Sequence, residues 1–212
     1  MNTAQQNKVS ATLTELYNDS RGDKMKMIKG AAKSIFRPIQ PSDFEEVYLS
    51  ISSAQGEHLK RLILKNNLKN IVEFGTSFGI STLFLAQGAM ETGGQIITTE
   101  LLESKANKAI DNFKKAEVND LIEVRVGDAM ETLKDHDEPI DLLLLDGWKN
   151  LYLPLFRMLE PNFHAGTFIY VDNANMSDSR SFLRTISSNG KYRLEPMFGG
   201  SVVLVTINSS SL

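Results

Sequence analysis

Apolar and polar positions along this chain switch repeatedly between a helical period and short unbroken apolar runs. From Gln55 to Asn67, Leu59, Leu62 and Ile63 fall on one face at helical spacing, which predicts a helix. NIVEF (70–74) follows as a short apolar run ending at Gly75, as a buried strand does. The same alternation then predicts a helix over Ile80–Met90, a strand at QIITTE (95–100), a helix over Glu103–Ala116 and a strand at LIEVRV (121–126). A helix over Ala129–Lys134, a strand at IDLLLLD (140–146), a helix over Leu151–Leu159, a strand at GTFIYVD (166–172) and a helix over Asp178–Ser188 continue it. IDLLLLD carries no polar alternation in its middle, the mark of a strand covered on both faces. YRLEP (192–196) and SVVLVTI (201–207) lie too close together for a parallel crossover and are expected to pair antiparallel. Ahead of this series, Val9, Leu13 and Leu16 predict a helix over about 9–17. Strands alternating with helices and closing on a hairpin make an α/β sandwich around a mostly parallel sheet.

Composition narrows the possibilities. The 212 residues suit one α/β domain, and 42% hydrophobic with 23% charged residues is ordinary for a folded chain. A net charge of −3 supplies no general positive field, so nucleic acid is not an expected partner. The absence of cysteine excludes disulfides, thiolate nucleophiles and zinc–sulfur sites. His58, His136 and His164 are far apart without metal-ligand spacing, which leaves a hard cation on carboxylates as the expected metal chemistry. MNTAQQNKVS lacks the apolar run of a signal peptide and no stretch reaches a membrane span, so a cytoplasmic protein is expected.

Residues 21–37 hold six basic side chains against Asp23 alone, and Pro38 and Pro41 then break the chain. That stretch reads either as a solvated helix face or as a basic lid that attracts anions. It also permits RNA or membrane contact, although one patch on an acidic protein is weak support for either. The expected division is an N-terminal helical and basic lid segment over 1–41 and a catalytic domain over 42–212.

In an open parallel sheet, ligands bind beyond the C-terminal strand ends where strand order reverses, so polar residues at those ends are the informative ones. The first strand runs into VEFGTSFGIST (72–82), where Gly75 and Gly79 permit a sharp turn and close approach of a ligand; a tight turn with no ligand is the plainer alternative. Their spacing is not the Gly-x-Gly-x-x-Gly of nicotinamide dinucleotide sites, which argues against an oxidoreductase. Glu100 ends the second strand, where an acid commonly accepts hydrogen bonds from ribose hydroxyls, or is a surface glutamate. Asp128, in GDA (127–129), is placed either to cap a helix or to contact an adenine. The fourth strand opens into LLLLDGWKNLYLP (142–154), and the fifth ends in VDN (171–173). Asp146, Asp172 and Asn173 then give three hard oxygen ligands on neighbouring strand ends, suited to Mg²⁺. The alternative is that the two aspartates cap the helices that follow. Lys149 and Trp148 come directly after the buried strand, as a site pair or as a surface lysine and a packing residue.

LDGWKNLYLP and VDNANM, with VEFGTSFGIST upstream, resemble the catechol O-methyltransferase family and its bacterial and plant caffeoyl-CoA-type relatives over roughly Gln55–Ile207. That resemblance implies a Rossmann-like class I methyltransferase sandwich with a seven-stranded sheet and a C-terminal antiparallel hairpin strand. It implies transfer of a methyl group from S-adenosylmethionine to a hydroxyl of a small catechol-like acceptor, with a divalent cation. By position it makes Asp146, Asp172 and Asn173 metal ligands and Lys149 the catalytic base. It makes Glu100 the ribose acid, Trp148 a partner of the adenine, and Gly75, Thr76, Ser77 and Gly79 the loop beside the methionine part. Glu73, Ser81, Leu101, Asp128, Ala129 and Asp146 adjoin those motifs and complete the cofactor-binding set. Relatives of this kind often form dimers. The pattern departs at Gly147, where the animal catechol enzyme has histidine, and no residue matches that enzyme's C-terminal acid, Glu195 lying near without its motif. A metal-independent methyltransferase and a cofactor-binding protein without catalysis remain the competing expectations.

Overall fold

Burial of the leucine run sets the architecture. Strand β4 (Ile140–Leu145) has Leu142, Leu143, Leu144 and Leu145 wholly shielded from solvent, which requires layers on both sides of it. A computed structural model describes residues 3–20, 51–188 and 190–208. It places β4 at the centre of a seven-stranded sheet with β1 (Asn70–Phe74), β2 (Gln95–Glu100), β3 (Ile122–Val126), β5 (Phe163–Val171), β6 (Tyr192–Met197) and β7 (Val202–Ile207), in the order β3-β2-β1-β4-β5-β7-β6. The first five strands pair in parallel, and β7 runs antiparallel to both β5 and β6. This is the mostly parallel sheet with a closing hairpin that the periodicity predicts.

The period-two pleat divides the core into two. Leu142 and Leu144 join a cluster with α1 (Thr3–Ser20), α2 (Ser53–Asn66), α3 (Ile80–Thr92) and α4 (Glu103–Lys115). Leu143 and Leu145 join the opposite cluster, with α5 (Ala129–Thr132), α6 (Tyr152–Leu159) and α7 (Ser177–Ser187). Helix α3 is buried at every position from Ile80 to Ala89, so it is a core helix with no solvent face along that stretch. Helix α1 exceeds its predicted span at both ends, and Val9, Leu13 and Leu16 enter the same core cluster as α3. The rest of the expected 1–41 lid, with the basic stretch 21–37, lies outside the described residues. Among the described residues no helix is long and apolar enough to cross a membrane.

Boundaries differ from expectation at β5 and α5 as well. Strand β5 starts at Phe163 instead of residue 166, because Thr167 Oγ1 takes the His164 N–H and donates to the Ile140 carbonyl, carrying the strand back through a register shift. Helix α5 closes after a single turn, at Thr132. Strand order reverses between β1 and β4, so their C-terminal ends form the crevice that can receive a ligand.

Candidate active site at the reversal of strand order

The turn after β1 is built by backbone contacts across the crevice. Gly75 sits at φ 106°, and an added Cβ would stand 2.8 Å from the Asp146 carbonyl carbon and the Gly147 nitrogen. The glycine there is demanded by its left-handed backbone and by the neighbouring main chain. Gly147 answers it from the other side, since a Cβ would come 2.5 Å from the Phe74 ring. Glycine at 147 thus has a local cause in this chain.

Glu100 organises the loops on the β2 side. Its Oε2 accepts the Ser77 N–H at 2.8 Å and its Oε1 accepts the Leu102 N–H at 3.0 Å, while its carbonyl accepts the Gly127 N–H at 2.9 Å. Each carboxylate oxygen retains a lone pair for a hydroxyl donor. Ser77 holds φ 49° and its buried Oγ has no partner among the described residues, which leaves a donor beside Glu100 for a bound group. Leu101 and Val126, 47% and 43% exposed, leave apolar surface at the same edge, where Val126 is in register with Glu100. The half-buried Trp148 packs against the α5–α7 core. These features suit a nucleoside with a flat base and a ribose.

The other residues assigned to the cofactor divide between crevice and support. Glu73 has no exposed surface and lies under the turn, its Oε2 accepting Thr82 Oγ1 at 2.5 Å and Thr98 Oγ1 at 2.6 Å. Burial, only partly offset by hydroxyls including Ser81, holds the Glu73 carboxyl above its ordinary range. Thr76 is also buried, its hydroxyl 2.6 Å from that of Thr98, and Gly79 and Ser81 are buried at the start of α3. Asp128 is the N-cap of α5, accepting the Met130 N–H at 2.9 Å, and Ala129 follows it into the core.

Asp146 and Asp172 behave differently from Asp128. Neither caps a helix: α6 and α7 begin with Leu151 and Met176 as N-caps, without side-chain cap bonds. Leu145 and Val171 are in register on adjacent strands, so the next residue on each strand brings the two carboxylates together. The main chain is pinned there by the Asp146 N–H on the Phe74 carbonyl at 2.9 Å and the Asp172 N–H on the Leu145 carbonyl at 3.0 Å. Tyr152 Oη donates to the Leu145 carbonyl at 2.8 Å from below. Asn173, at φ 50°, follows in a left-handed conformation, and the Ala174 N–H on the Ser201 carbonyl at 2.8 Å ties this end to the hairpin.

The electrostatics are those of a crowded acidic pair. Burial first, and the Asp172 charge second, push the Asp146 carboxyl well above its usual range, with Lys149 acting against them. Lys149 Nζ donates to the Gly147 carbonyl at 2.8 Å and stands 3.7 Å from Asp146 Oδ1. One ammonium at that distance does not offset two shielded carboxylates. A divalent cation would, so the donor set fits one. Among the described residues no group of three or more His, Asp or Glu side chains is assembled for a metal. A cation here would therefore rest on Asp146, Asp172, the Asn173 amide oxygen, and oxygens from water or acceptor.

Sequence reasoning missed Gln55, whose Nε2 donates to Asp172 Oδ1 at 2.9 Å from helix α2. It also missed Val126, which reads as an ordinary strand residue.

Comparison with known proteins bears on the family and the fold. A family model described as O-methyltransferase matches residues 41–179. A catechol O-methyltransferase of Niastella koreensis is 32% identical over 129 residues, 59% of this chain and 58% of that protein. A catechol O-methyltransferase of Mycobacterium tuberculosis is 32% identical over 126 residues, 59% of this chain and 57% of that protein. The matched region thus spans less than three fifths of either relative. An O-methyltransferase of Bacillus cereus, solved in complex with SAH, superposes with a TM-score of 0.69 at 25% identity, covering 86% of this chain and 97% of that one.

Proposed function

This chain belongs to the O-methyltransferase family, and from that premise we propose that it transfers a methyl group from S-adenosylmethionine to a hydroxyl of a small catechol-like acceptor, assisted by Mg²⁺ or a similar cation. The observation that carries the proposal is the pair Asp146–Asp172, adjacent, shielded, capping no helix and held above ordinary carboxylate ionisation at Asp146. Buried charge of one sign is costly to maintain without a compensating partner.

S-adenosylmethionine, when bound, supplies a sulfonium methyl group open to in-line displacement. Asp146, Asp172 and Asn173 would hold a divalent cation, which would supply Lewis-acid stabilisation for a hydroxyl that, at a pKa of about 10, is otherwise mostly protonated at neutral pH. The remaining work falls to the chain. Glu100 and Ser77 hold the ribose side, Leu101, Val126 and Trp148 shape a slot for the base, and Asp128 stays a helix cap at its rim. Lys149, tethered to the Gly147 carbonyl and facing Asp146, first gives up its own ammonium proton to solvent, and the amine Nζ then takes the hydroxyl proton. Holding acceptor oxygen, methyl carbon and sulfur in line is worth several kcal/mol in favourable cases, roughly 7–11 at the limit.

The test is transfer of labelled methyl from S-adenosylmethionine to protocatechuate and caffeate, with Mg²⁺ and with EDTA. Product formed with Mg²⁺ and lost in EDTA is expected. Product that survives EDTA makes the carboxylates structural and the enzyme metal-independent. Cofactor binding without product on either acceptor rejects catechols as substrates. In the same assay Lys149→Arg, which holds its proton at neutral pH and cannot accept another, should lose turnover about as far as Lys149→Ala, on the order of 10²-fold or more. Near-normal turnover in Lys149→Arg would remove Lys149 from the role of base.

A further inference from the structure

Helix α2 starts against the acidic pair, and a single side chain joins the two. Ser52 and Gln55 form a capping box: Gln55 Oε1 accepts the Ser52 N–H and its hydroxyl, each at 2.7 Å, while the Gln55 N–H donates to Ser52 Oγ at 3.3 Å. With its oxygen engaged at the cap, the amide must turn its NH₂ the other way. That group meets Asp172 Oδ1 at 2.9 Å in a buried contact between residues 117 positions apart. Gln55 is itself buried, so water does not compete for the bond.

The cap alone explains half of this side chain. A glutamate or glutamine at the third helical position completes a capping box equally well, and only glutamine has a donor left for a carboxylate. The chemistry at the far end is also selective. Lysine or arginine would bind Asp172 more strongly, but would set a positive charge beside a cation site. An amide fixes the carboxylate and leaves its charge in place. One oxygen of Asp172 is thereby held in place.

We infer that Gln55 is a positioning residue for the cation site, anchored by the α2 cap and restraining the Asp172 carboxylate in the orientation that binds the ion. This rests on the cation site proposed above. Groups that orient metal-ligating carboxylates typically contribute about 10–100-fold in metal affinity, which sets the size of the effect expected here.

The experiment is titration of the full chain with Mn²⁺, following loss of the free-ion electron paramagnetic resonance signal, for the wild type, Gln55→Met, Gln55→Ala and Ser52→Ala. Thermal melting of each variant establishes that it is folded. Gln55→Met fills the volume without a donor, and Gln55→Ala admits water; either, if folded, is expected to weaken Mn²⁺ about tenfold or more. Ser52→Ala removes the hydroxyl of the cap but leaves the Ser52 N–H to hold the Gln55 amide, so it should lower the melting temperature with Mn²⁺ affinity within about twofold. Wild-type affinity in both Gln55 variants overturns the inference and leaves the cation site standing. An equal loss in Ser52→Ala overturns it too, because the effect would then belong to the helix terminus. A wild type that does not bind Mn²⁺, and that is matched in this by Asp172→Ala, overturns the cation site and the inference together.

Discussion

Asp146 is a residue at which stability and the proposed function conflict. Its carboxyl is held above the ordinary range by burial and by Asp172, so over the pH range between its unfolded and folded pKa values the folded state binds more protons than the unfolded one. The stability slope there is negative: below about pH 4 both states are protonated and the group contributes nothing, and as pH rises the folded state is penalised. Asp146→Asn removes the titration. In cation-free buffer the variant should therefore melt above the wild type at about pH 8 and level with it near pH 4. Added Mg²⁺ should raise the wild type at the higher pH and leave the variant nearly unmoved. A variant that melts below the wild type at every pH, with and without the ion, would mean that Asp146 is a structural hydrogen-bonding residue.

At the scale of elements, the crevice depends on how closely the turns after β1 and β4 approach. Gly75 abuts the Asp146–Gly147 backbone, and Gly147 abuts the Phe74 ring, so the two turns leave no room for a Cβ at either place. Gly147→Ala should cost about 1–3 kcal/mol, the usual range for overpacking a tight site. Phe74 is the obstacle, and Gly147→Ala should therefore cost less in a Phe74→Leu background, with a coupling of at least about 0.5 kcal/mol in a denaturation cycle. Strictly additive effects would place the strain elsewhere. Much of this level is legible in the chain. The strand runs, the helix spans and the closing hairpin follow from hydrophobic period and loop length, and most described elements fall within a residue or two of expectation. The first helix and the early start of β5 do not. The last depends on Thr167 bridging the His164 N–H and the Ile140 carbonyl across strands, which no local pattern encodes.

For the molecule as a whole, the crevice predicts linkage between ligand and fold. Glu100 binds the loops after β1, β2 and β3 at once, so a nucleoside resting on it is bound only by the folded chain. S-adenosylhomocysteine at 100 times its Kd should add about 2.7 kcal/mol, a rise in Tm of roughly 5–10 °C for a domain of this size. Glu100→Ala should lower the starting Tm and lose most of the ligand-induced rise. A full rise in that variant would remove Glu100 from the nucleoside site.

What the sequence determined by itself was the set of strand ends: a buried leucine run must be a central strand, and whatever follows it must emerge at the sheet's edge. That reasoning reaches Asp146, Lys149, Asp172 and Asn173, because hydrophobic period is local and survives without coordinates. Only the tertiary structure decided which acids do what. Asp128 caps a helix, whereas Asp146 and Asp172 meet across registered strands and cap nothing. Glu73 goes under the turn, while Glu100 stays at the crevice. Gln55 in sequence only opens a predicted helix; its place in the cap and its bond to Asp172 come from the packing of α2 over the ends of the strands. A carboxylate's role is set by its distance to other charges and donors, and those distances arise from contacts between segments far apart in the chain.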